Sequence, residues 1–331
     1  MDDIEKAELF ADIRNFIKKE RTLTELCEKY EMSDYEMMGI IGQLKQEGMP
    51  IMAKKDKKEV TVVINPNLNQ TNDSIHQLEC EGSSTRFGVV SDTILGSKYQ
   101  QLTILNNVYK AFDNENVEFV LHCGDISAGV YSNRSPYADT IFKHGIDEQA
   151  DYISEMYPNV GIPTYFITGE KDAAHKKADK SHRDIGKLIS DNRDDMIYLG
   201  QHRSMLQMKN AKLALKHPTG KVAYTLSYKA QQDAAAMRSE EKPDIVFYGH
   251  WLSALQMDYR TKLYTVPGLS ATTPWMMDGA IQNSVGAWII DLEFDQKGRI
   301  AETFPTLLPY YETDANDYNH AKKLLLLKED K

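Results

Sequence analysis

Five polar segments with the residue types of a metal site are spaced along residues 91–252 of the chain. Each follows a short, mainly apolar run and carries a carboxylate or an imidazole. Carboxylates and imidazoles are ligands that suit Mn, Fe and Zn. The segments are therefore candidates for a site that holds divalent cations. In chain order they are Ser91-Asp92-Thr93-Ile94, Gly124-Asp125, Gly169-Glu170-Lys171-Asp172, Lys216-His217-Pro218 and Gly249-His250-Trp251-Leu252.

The order of these segments resembles the calcineurin-like metallophosphoesterase superfamily, whose members carry DxH, GD, GNH(D/E), a lone His and GHxH. Gly-Asp and Gly-His occur often by chance, so the specific signal is the set of five in this order. The stretch from His217 to Gly220 looks like the variant of phage and prokaryotic members. The resemblance implies a β-sandwich flanked by helices over residues 86–310. It also implies a site where two cations clamp a phosphate and acidify a bridging water.

The resemblance assigns ligand positions to both cations, and the two sets differ in this chain. For the first cation Asp92 remains, but the positions of two histidines hold Ile94 and Leu252, which cannot ligate. The second cation keeps four residues that can ligate: Asp125, which also bridges, Glu170, His217 and His250. We therefore expect a degenerate site that binds one divalent metal (Mn, Fe or Zn) or none.

Lys171 stands where the resemblance implies the family's catalytic histidine. Lysine titrates near pH 10.4 and histidine near 6.5, so Lys171 is a poor proton shuttle at neutral pH. We expect its ammonium to offset the charge of the clustered carboxylates instead. The candidates for the pocket wall are Arg134 and, among the aromatic residues, chiefly Trp251, with core packing the default for Trp275. His175 lies in a polar stretch and is expected at the surface.

The elements that must position these residues are apolar strands alternating with helices. Helices are predicted over residues 101–114 and 147–157, between the strand-like runs FGVVSD, VEFVLHCGD, TYFITGE and IVFYGH. Apolar strands that end in polar loops are typical of an α/β sheet with its site at the strand ends. The fold class is therefore predicted to be α/β.

Residues 1–65 are predicted to form a winged helix-turn-helix domain. Thr22 and Ser33 each begin a capping-box pattern, which predicts two short helices after an amphipathic first helix. Residues 51–64 are predicted to form the β-hairpin of the wing. The alternative is a small helical domain for protein contacts, because Asp34 and Glu36 at the start of the third helix would face phosphates badly. The polar residues 66–85 are predicted to be a linker.

Composition limits the partners and the cellular compartment that are expected for the protein. The formal net charge of −10 argues against a surface that binds nucleic acid everywhere. There is no apolar run of 18 residues, so no membrane contact is expected. Three scattered cysteines indicate a reducing compartment, hence the cytoplasm, or the host cytoplasm for a phage protein. The tail, residues 311–331, is predicted to carry a short leucine-rich helix that docks on the body or on a second copy in a homo-oligomer.

Three functions are compatible with these features. The first is a pseudoenzyme, a binding or regulatory scaffold for nucleic acid or a protein partner contacted through the winged helix. The second is a phosphodiesterase or nuclease with a single metal on Asp125, Glu170, His217 and His250. The third is a DNA-binding regulator whose C-terminal domain only dimerises. The losses at Ile94 and Leu252 favour the first, since a two-metal hydrolase depends on both ions.

Overall fold

A computed structural model describes residues 3–19, 21–46, 51–56, 59–64, 75–132, 135–220, 225–237 and 242–319 of the chain. The chain divides into two units, Met1–Thr71 and Asn72–Lys331. Among the described residues, no helix has the length and apolarity needed to cross a membrane.

The N-terminal unit contains three helices and a small antiparallel sheet of order β1-β3-β2. Three helices and a hairpin form where the sequence predicts them, and the first helix ends at Phe16. Both capping boxes form: the Thr22 hydroxyl accepts from the Glu25 amide, and the Ser33 hydroxyl accepts from the Glu36 amide. The elements are α1 (Asp3–Phe16), β1 (Arg21–Thr22), α2 (Leu23–Tyr30), α3 (Asp34–Gln46), β2 (Ile51–Asp56) and β3 (Glu59–Ile64).

The larger unit is built on two six-stranded mixed sheets, which confirms the predicted α/β class. The first sheet has the order β12-β13-β11-β10-β9-β4 and the second β15-β14-β5-β6-β7-β8. The strands are β4 (Ile75–Gln77), β5 (Ser84–Val90), β6 (Phe119–His122), β7 (Thr164–Thr168), β8 (Met196–Gln201), β9 (Arg203–Met208), β10 (Ala211–Lys216), β11 (Ile245–Tyr248), β12 (Leu255–Tyr259), β13 (Thr261–Thr265), β14 (Val285–Phe294) and β15 (Ile300–Tyr310).

The two sheets pack face to face over an apolar core. Phe87 of β5 meets Phe247 of β11 edge to face, with 5.9 Å between ring centroids. Tyr264 of β13 and Trp288 of β14 form a second such pair at 5.8 Å. Edge-to-face rings add stabilisation to the apolar area they bury. These contacts join the sheets into a sandwich.

Helices cover the outer faces of the sandwich. Leu105 of α4 and Ile153 of α5 belong to one buried cluster with Val120 and Phe166 of the second sheet. Ala230 of α8 packs on the first sheet. The predicted helices over 101–114 and 147–157 are confirmed to within two residues. The helices are α4 (Leu102–Asn114), α5 (Gly145–Met156), α6 (Glu170–Ala178), α7 (Ile185–Asn192), α8 (Leu226–Ala236) and α9 (Pro274–Asp278).

The parallel strands of each sheet bring their carboxyl ends to one edge. In the second sheet β5, β6 and β7 are parallel neighbours, and in the first β10 and β11 are. All five polar segments of the sequence follow these strand ends. Sites in α/β sheets form where such ends meet.

Part of the predicted linker, residues 66–85, belongs to strands. Ile75–Gln77, inside the stretch that composition assigns to a linker, form β4 and pair with β9 in parallel. Three residues are too few for a periodic signal, so the strand depends on its partner. The edge strand β15 carries Pro305 and Pro309 and exposes Phe304 and Leu307.

The C-terminal region is attached to the N-terminus of α4. The buried carboxylate of Asp317 accepts hydrogen bonds from the Leu102 and Thr103 amides, at 2.5 and 3.0 Å. The Gln101 side chain exchanges two more with the backbone of Asp314. The first amides of a helix have no partner within the helix, so Asp317 caps α4 from a distance. The predicted leucine-rich helix lies in residues 320–331, outside the described residues.

Replacing Asp317 by Ala should destabilise the larger unit by about 1–2 kcal/mol, because two helix amides lose their acceptor. All three tryptophans (Trp251, Trp275 and Trp288) lie in this unit, so urea unfolding followed by tryptophan fluorescence reports on it alone. The exposed Glu312→Ala change is the matched control and should leave the midpoint in place. Equal midpoints for both variants would contradict the capping role.

Candidate metal centre

The loops after the strands hold several non-glycine residues in the left-handed backbone region. These have φ between +40° and +70°: Asp92, Ile94, Asp125, His250 and Leu252. Left-handed backbone costs about 1–2 kcal/mol for a residue with a side chain, and it is least tolerated by β-branched ones such as Ile94. Strain of this kind persists only where the surroundings impose it. The surrounding fold therefore holds all five residues, including the two apolar ones, in the left-handed conformation.

Two glycines of the motifs are required by close packing. A Cβ on Gly169 would overlap the Asp125 carboxylate and the His217 ring. A Cβ on Gly249 would overlap the Cys123 carbonyl oxygen and the Ser91 hydroxyl. Because backbone and functional side chains occupy the same small volume, only glycine fits at these positions.

Three predicted ligands come together at the strand ends. One potential ligand atom each from Asp125, His217 and His250 lies within 4.8 Å of the other two. All three residues are buried. One carboxylate and two imidazoles form a donor set that suits Mn, Fe or Zn. Asp125 follows β6, His217 follows β10 and His250 follows β11, so both sheets contribute.

His217 is oriented as a metal-binding histidine would be. Its Nδ1 lies 2.7 Å from the Cys123 carbonyl oxygen, to which it donates. Its Nε2 lies 3.4 Å from Oδ1 of Asp125 without hydrogen-bond geometry, so among the described residues this buried atom has no hydrogen-bond partner. Metal-binding histidines usually donate the hydrogen of their other ring nitrogen to a carbonyl or carboxylate oxygen, as His217 does here. An ion on Nε2 would supply the missing partner, so the residues fit a metal.

His217 and Asp125 attract each other electrostatically and shift each other's pKa. Burial disfavours the charged form of His217, but the Asp125 carboxylate outweighs burial and raises the pKa of His217 to about 9. In Asp125 burial is likewise outweighed, by His217 and Lys171, which hold the pKa of the carboxyl far below its usual value. An ion bound by His217 would have to displace the imidazolium proton.

His250 and Asp92 are connected through the backbone. Oδ2 of Asp92 accepts a hydrogen bond from the His250 amide at 3.0 Å and from the Ser91 hydroxyl at 2.6 Å. Nε2 of His250 donates to the Gly220 carbonyl oxygen at 2.7 Å, which leaves Nδ1 for an ion. The structure thus places Asp92 in the centre as a support for the left-handed His250 backbone. It is outside the group of three.

Glu170, predicted to be the fourth ligand, lies apart from the group of three. Its side chain is exposed, and Oε2 accepts a hydrogen bond from the Gly220 amide at 3.1 Å. Gly220 therefore connects two predicted ligands, because its carbonyl accepts from His250 and its amide donates to Glu170. The Glu170 carboxylate therefore holds the backbone at Gly220 in place.

Lys171 places its ammonium against Asp125. The distance from Nζ to Oδ2 is 3.3 Å, and the Lys171 amide donates to Oδ1 at 2.8 Å. Burial works against the charged ammonium, but Asp125 outweighs it and raises the pKa of Lys171 above its usual value. The ammonium also lies 5.3 Å from the centre of the Trp275 ring, a cation–π distance. This arrangement supports the expected role of Lys171 as a fixed countercharge.

Asp172 is a supporting residue that the sequence reading did not single out. Its buried carboxylate accepts hydrogen bonds from the amides of Gly169, Ile126 and Ser127 and from the Ser127 hydroxyl. Burial and the nearby Asp125 charge raise the pKa of Asp172 to about 6. The D/E position of the family's GNH(D/E) pattern was the available signal. Asp172 ties the start of α6 to the loop that carries Asp125.

The two apolar residues with left-handed backbone, Ile94 and Leu252, are buried. Ile94 and Leu252 are 3% and 2% exposed. Trp251 does not belong to the pocket wall: it is 2% exposed and stacks on Tyr248 at 4.7 Å, because the ring extends the apolar layer under α8. The prediction for Arg134 falls outside the described residues. The surface prediction for His175 was wrong, since the residue is 1% exposed and bonds to Gln149.

A cavity adjoins Lys171 and is called the aromatic pocket below. Ile94 and Lys171 contribute to its lining, and its aromatic lining residues are Tyr131, Tyr137 and Trp275. Tyr131 and Tyr137 meet edge to face, with 6.0 Å between ring centroids. Trp275 belongs to α9 and is partly exposed. The pocket therefore combines aromatic faces with one ammonium group.

Comparisons with known proteins agree with the motif order. Residues 86–280, more than half of the chain, match the family model of the calcineurin-like phosphoesterase superfamily domain. A search of curated proteins finds no significant match. The family assignment therefore rests on the domain match.

The solved structures to which the chain is similar share little sequence with it. Vacuolar protein sorting 29 from Cryptosporidium parvum is 11% identical, with 70% of this chain and 100% of that chain covered and a TM-score of 0.35. Vps29 complexed with Zn²⁺ from Entamoeba histolytica is 10% identical, with 68% and 99% covered and a TM-score of 0.32. A 5'-nucleotidase precursor from Thermus thermophilus is 13% identical, with 74% and 58% covered and a TM-score of 0.34.

Replacing Lys171 by Met should lower stability by about 1–3 kcal/mol, less than for a fully buried pair because the lysine is partly exposed. The loss should shrink when Zn²⁺ is added, since an ion neutralises Asp125 in place of the ammonium. Thermal unfolding by circular dichroism, with and without Zn²⁺, measures both effects. Lys177→Met, an exposed change on the same helix, is the control. An unchanged melting temperature for Lys171→Met would count against the countercharge role.

Proposed function

Because this chain belongs to the calcineurin-like phosphoesterase superfamily, we propose that it is a degenerate member that binds one divalent ion and serves as a non-catalytic binding scaffold. The observation that carries the proposal is the contrast within the centre. Asp125, His217 and His250 remain together, while Ile94 and Leu252 are apolar and buried at positions where the family has histidines. The losses fall on one ion and spare the other.

The single ion would be held by Asp125, His217 and His250, with Mn, Fe or Zn as the candidates. When bound, a divalent ion acts as a Lewis acid that polarises phosphoryl oxygens and acidifies water. The protein's own residues then orient the ligand: the Cys123 carbonyl fixes the His217 ring, and Asp92 fixes the His250 backbone. This is a sufficient basis for binding a phosphate group.

Hydrolysis demands more than this centre supplies. In two-metal sites both ions stabilise the attacking and leaving oxygens. Here Lys171 supplies a countercharge, but its raised pKa makes it a poor proton donor. Apolar side chains at Ile94 and Leu252 cannot bind a second ion. These features favour binding over turnover.

The second candidate function is a phosphodiesterase or nuclease with a single metal. The observation in its favour is Nε2 of buried His217, which has no hydrogen bond among the described residues and is therefore free to bind an ion. One divalent ion can acidify a bound water without a second. The two candidates predict the same ion binding and differ in turnover.

For the N-terminal unit, we propose a winged helix that contacts a protein partner. The support is its order of elements, three helices and a three-stranded antiparallel sheet with a hairpin. The start of α3 carries Asp34 and Glu36, while Tyr35 is 90% and Met38 41% exposed. Acidic residues repel phosphates, whereas exposed aromatic and methionine side chains are typical of protein contacts.

Metal titration and turnover together test the proposal for the centre. Calorimetry with Zn²⁺ or Mn²⁺ should find one ion per chain, and His217→Ala or His250→Ala should abolish its binding. The exposed His144→Ala is the matched control. Hydrolysis of bis(p-nitrophenyl) phosphate should not exceed the level of Asp125→Ala. A second ion per chain would overturn the one-ion site, and turnover that vanishes in Asp125→Ala would establish the single-metal enzyme instead.

A mobility-shift assay tests the N-terminal unit. The full chain should give no shift with duplex DNA even at low salt, where phosphate contacts are strongest. The single change Asp34→Lys in α3 provides the comparison, because it lessens the repulsion and keeps the Ser33–Glu36 capping box. A shift of the unchanged protein that weakens steeply with salt would contradict a protein-only contact and support a DNA-binding regulator.

A further inference from the structure

We infer that His122 and Thr93 are positioning residues, which hold the Asp125 loop and the His217 ring in the arrangement that binds the ion. The inference rests on the proposed one-ion site and adds to it two side chains that are not ligands. It starts from a polar ring in an apolar place, because β6 is buried along its whole length and His122 is its one polar residue. A polar group in such a place is costly unless its hydrogen bonds are made.

Both ring nitrogens of His122 are hydrogen-bonded. Nδ1 accepts a hydrogen bond from the Gly124 amide at 3.1 Å, so the proton of a neutral ring lies on Nε2. Nε2 donates this proton to the Thr93 hydroxyl oxygen, also at 3.1 Å. The Thr93 hydroxyl in turn donates to the Ile126 carbonyl oxygen at 3.1 Å. The ring and the hydroxyl therefore form one chain of hydrogen bonds from Gly124 to Ile126, the two neighbours of Asp125.

This chain of hydrogen bonds requires a neutral ring. Burial and, to a lesser extent, the nearby His217 charge lower the pKa of His122 to about 3. The ring is therefore neutral at physiological pH and offers one donor and one acceptor, as its bonds to Thr93 and Gly124 require. A protonated ring would present a second N–H to the Gly124 amide and break the chain there.

The peptide group between Cys123 and Gly124 connects His122 to a candidate metal ligand. Its N–H donates to His122, and its carbonyl oxygen accepts from Nδ1 of His217 at 2.7 Å. The N–H and C=O of a trans peptide lie in one plane and point in opposite directions. An acceptor that fixes the N–H therefore also fixes the direction of the carbonyl, and with it the direction of Nε2 of His217. In this way His122 orients His217 without touching it.

The other end of the chain of hydrogen bonds restrains Asp125. The φ of Asp125 is +53°, a left-handed conformation that a non-glycine residue keeps only where its surroundings impose it. Thr93 lies in the first motif, between two residues with the same conformation. Its bond to the Ile126 carbonyl therefore joins two strained loops. Together with the His122 ring, it holds the backbone on both sides of Asp125, so the carboxylate approaches the ion from a fixed position.

Calorimetric titration of the full chain with Zn²⁺ tests the inference. His122→Leu removes both ring nitrogens and should weaken Zn²⁺ binding by about tenfold, the usual effect of losing a supporting partner of metal ligands. Thr93→Val keeps the shape of the side chain, removes its hydroxyl and should change the affinity in the same direction. The double variant should bind no more weakly than His122→Leu, because both residues belong to one chain of hydrogen bonds. His122→Asn should restore part of the affinity, since its Oδ1 replaces Nδ1 as the acceptor for the Gly124 amide.

Val120→Ala, a buried change on the same strand, is the matched control. It should lower the melting temperature and leave the Zn²⁺ affinity unchanged, because Val120 packs in the apolar core. Parent-like affinity in Thr93→Val and in His122→Leu would overturn the inference. A loss of affinity in Val120→Ala as large as that in His122→Leu would also overturn it, because general loosening of the core would then be the cause.

If His122→Leu does not fold, Thr93→Val and His122→Asn decide between the same outcomes. Zn²⁺ affinities equal to that of the parent chain in both variants would then overturn the inference. A parent chain that binds no Zn²⁺ would overturn the proposed function and the inference together. A parent chain that binds Zn²⁺ and variants that bind it equally well would overturn the inference alone, so the two failures are distinguishable.

Discussion

The centre depends on how one buried negative charge is neutralised. Asp125 is 1% exposed, and a carboxylate removed from water is unstable unless positive charge or hydrogen-bond donors surround it. Here the Lys171 ammonium, the Lys171 amide and the His217 ring all face it. In a site with two cations, the metal ions would neutralise this carboxylate. In this chain the side chains of Lys171 and His217 supply positive charge next to Asp125, so the protein itself compensates the carboxylate.

Close packing around this carboxylate limits the rest of the site. Gly169 and Gly249 have no room for a side chain, and Asp92 and His250 adopt left-handed backbone. Asp172 holds the loop of Asp125 to α6 through several amides. The geometry of the motif therefore persists through backbone constraints and supporting hydrogen bonds. These constraints act on the backbone, and Ile94 and Leu252 adopt the same left-handed conformation as Asp92 and His250.

The framework of the site could be predicted from the sequence because the order of the strands in the sheets decides where the residues at their ends lie. Once β6, β10 and β11 align, Asp125, His217 and His250 must converge, and they do. Side-chain direction is a different matter. Glu170 follows β7 as expected, yet its carboxylate turns to the Gly220 amide, a partner that no spacing reveals.

Local sequence patterns also could not predict which aromatic and polar side chains are buried. Trp251 lies within a motif yet packs against Tyr248, whereas Trp275 lies outside the motifs, on α9, and lines the pocket. His175 sits in a polar helix but faces Gln149 in the interior. The three-residue strand β4 is too short to show a periodic pattern in the sequence. In each case a tertiary partner overrides what the neighbouring residues suggest.

The prolines of β15 bear on aggregation. An exposed edge strand with apolar side chains such as Phe304 and Leu307 is a template on which strands of other molecules can assemble into fibrils. Pro305 and Pro309 have no N–H to offer an incoming strand, so a continuous ladder cannot extend along this edge. The open side of the second sheet is thereby kept available for solvent without becoming a seed for polymerisation.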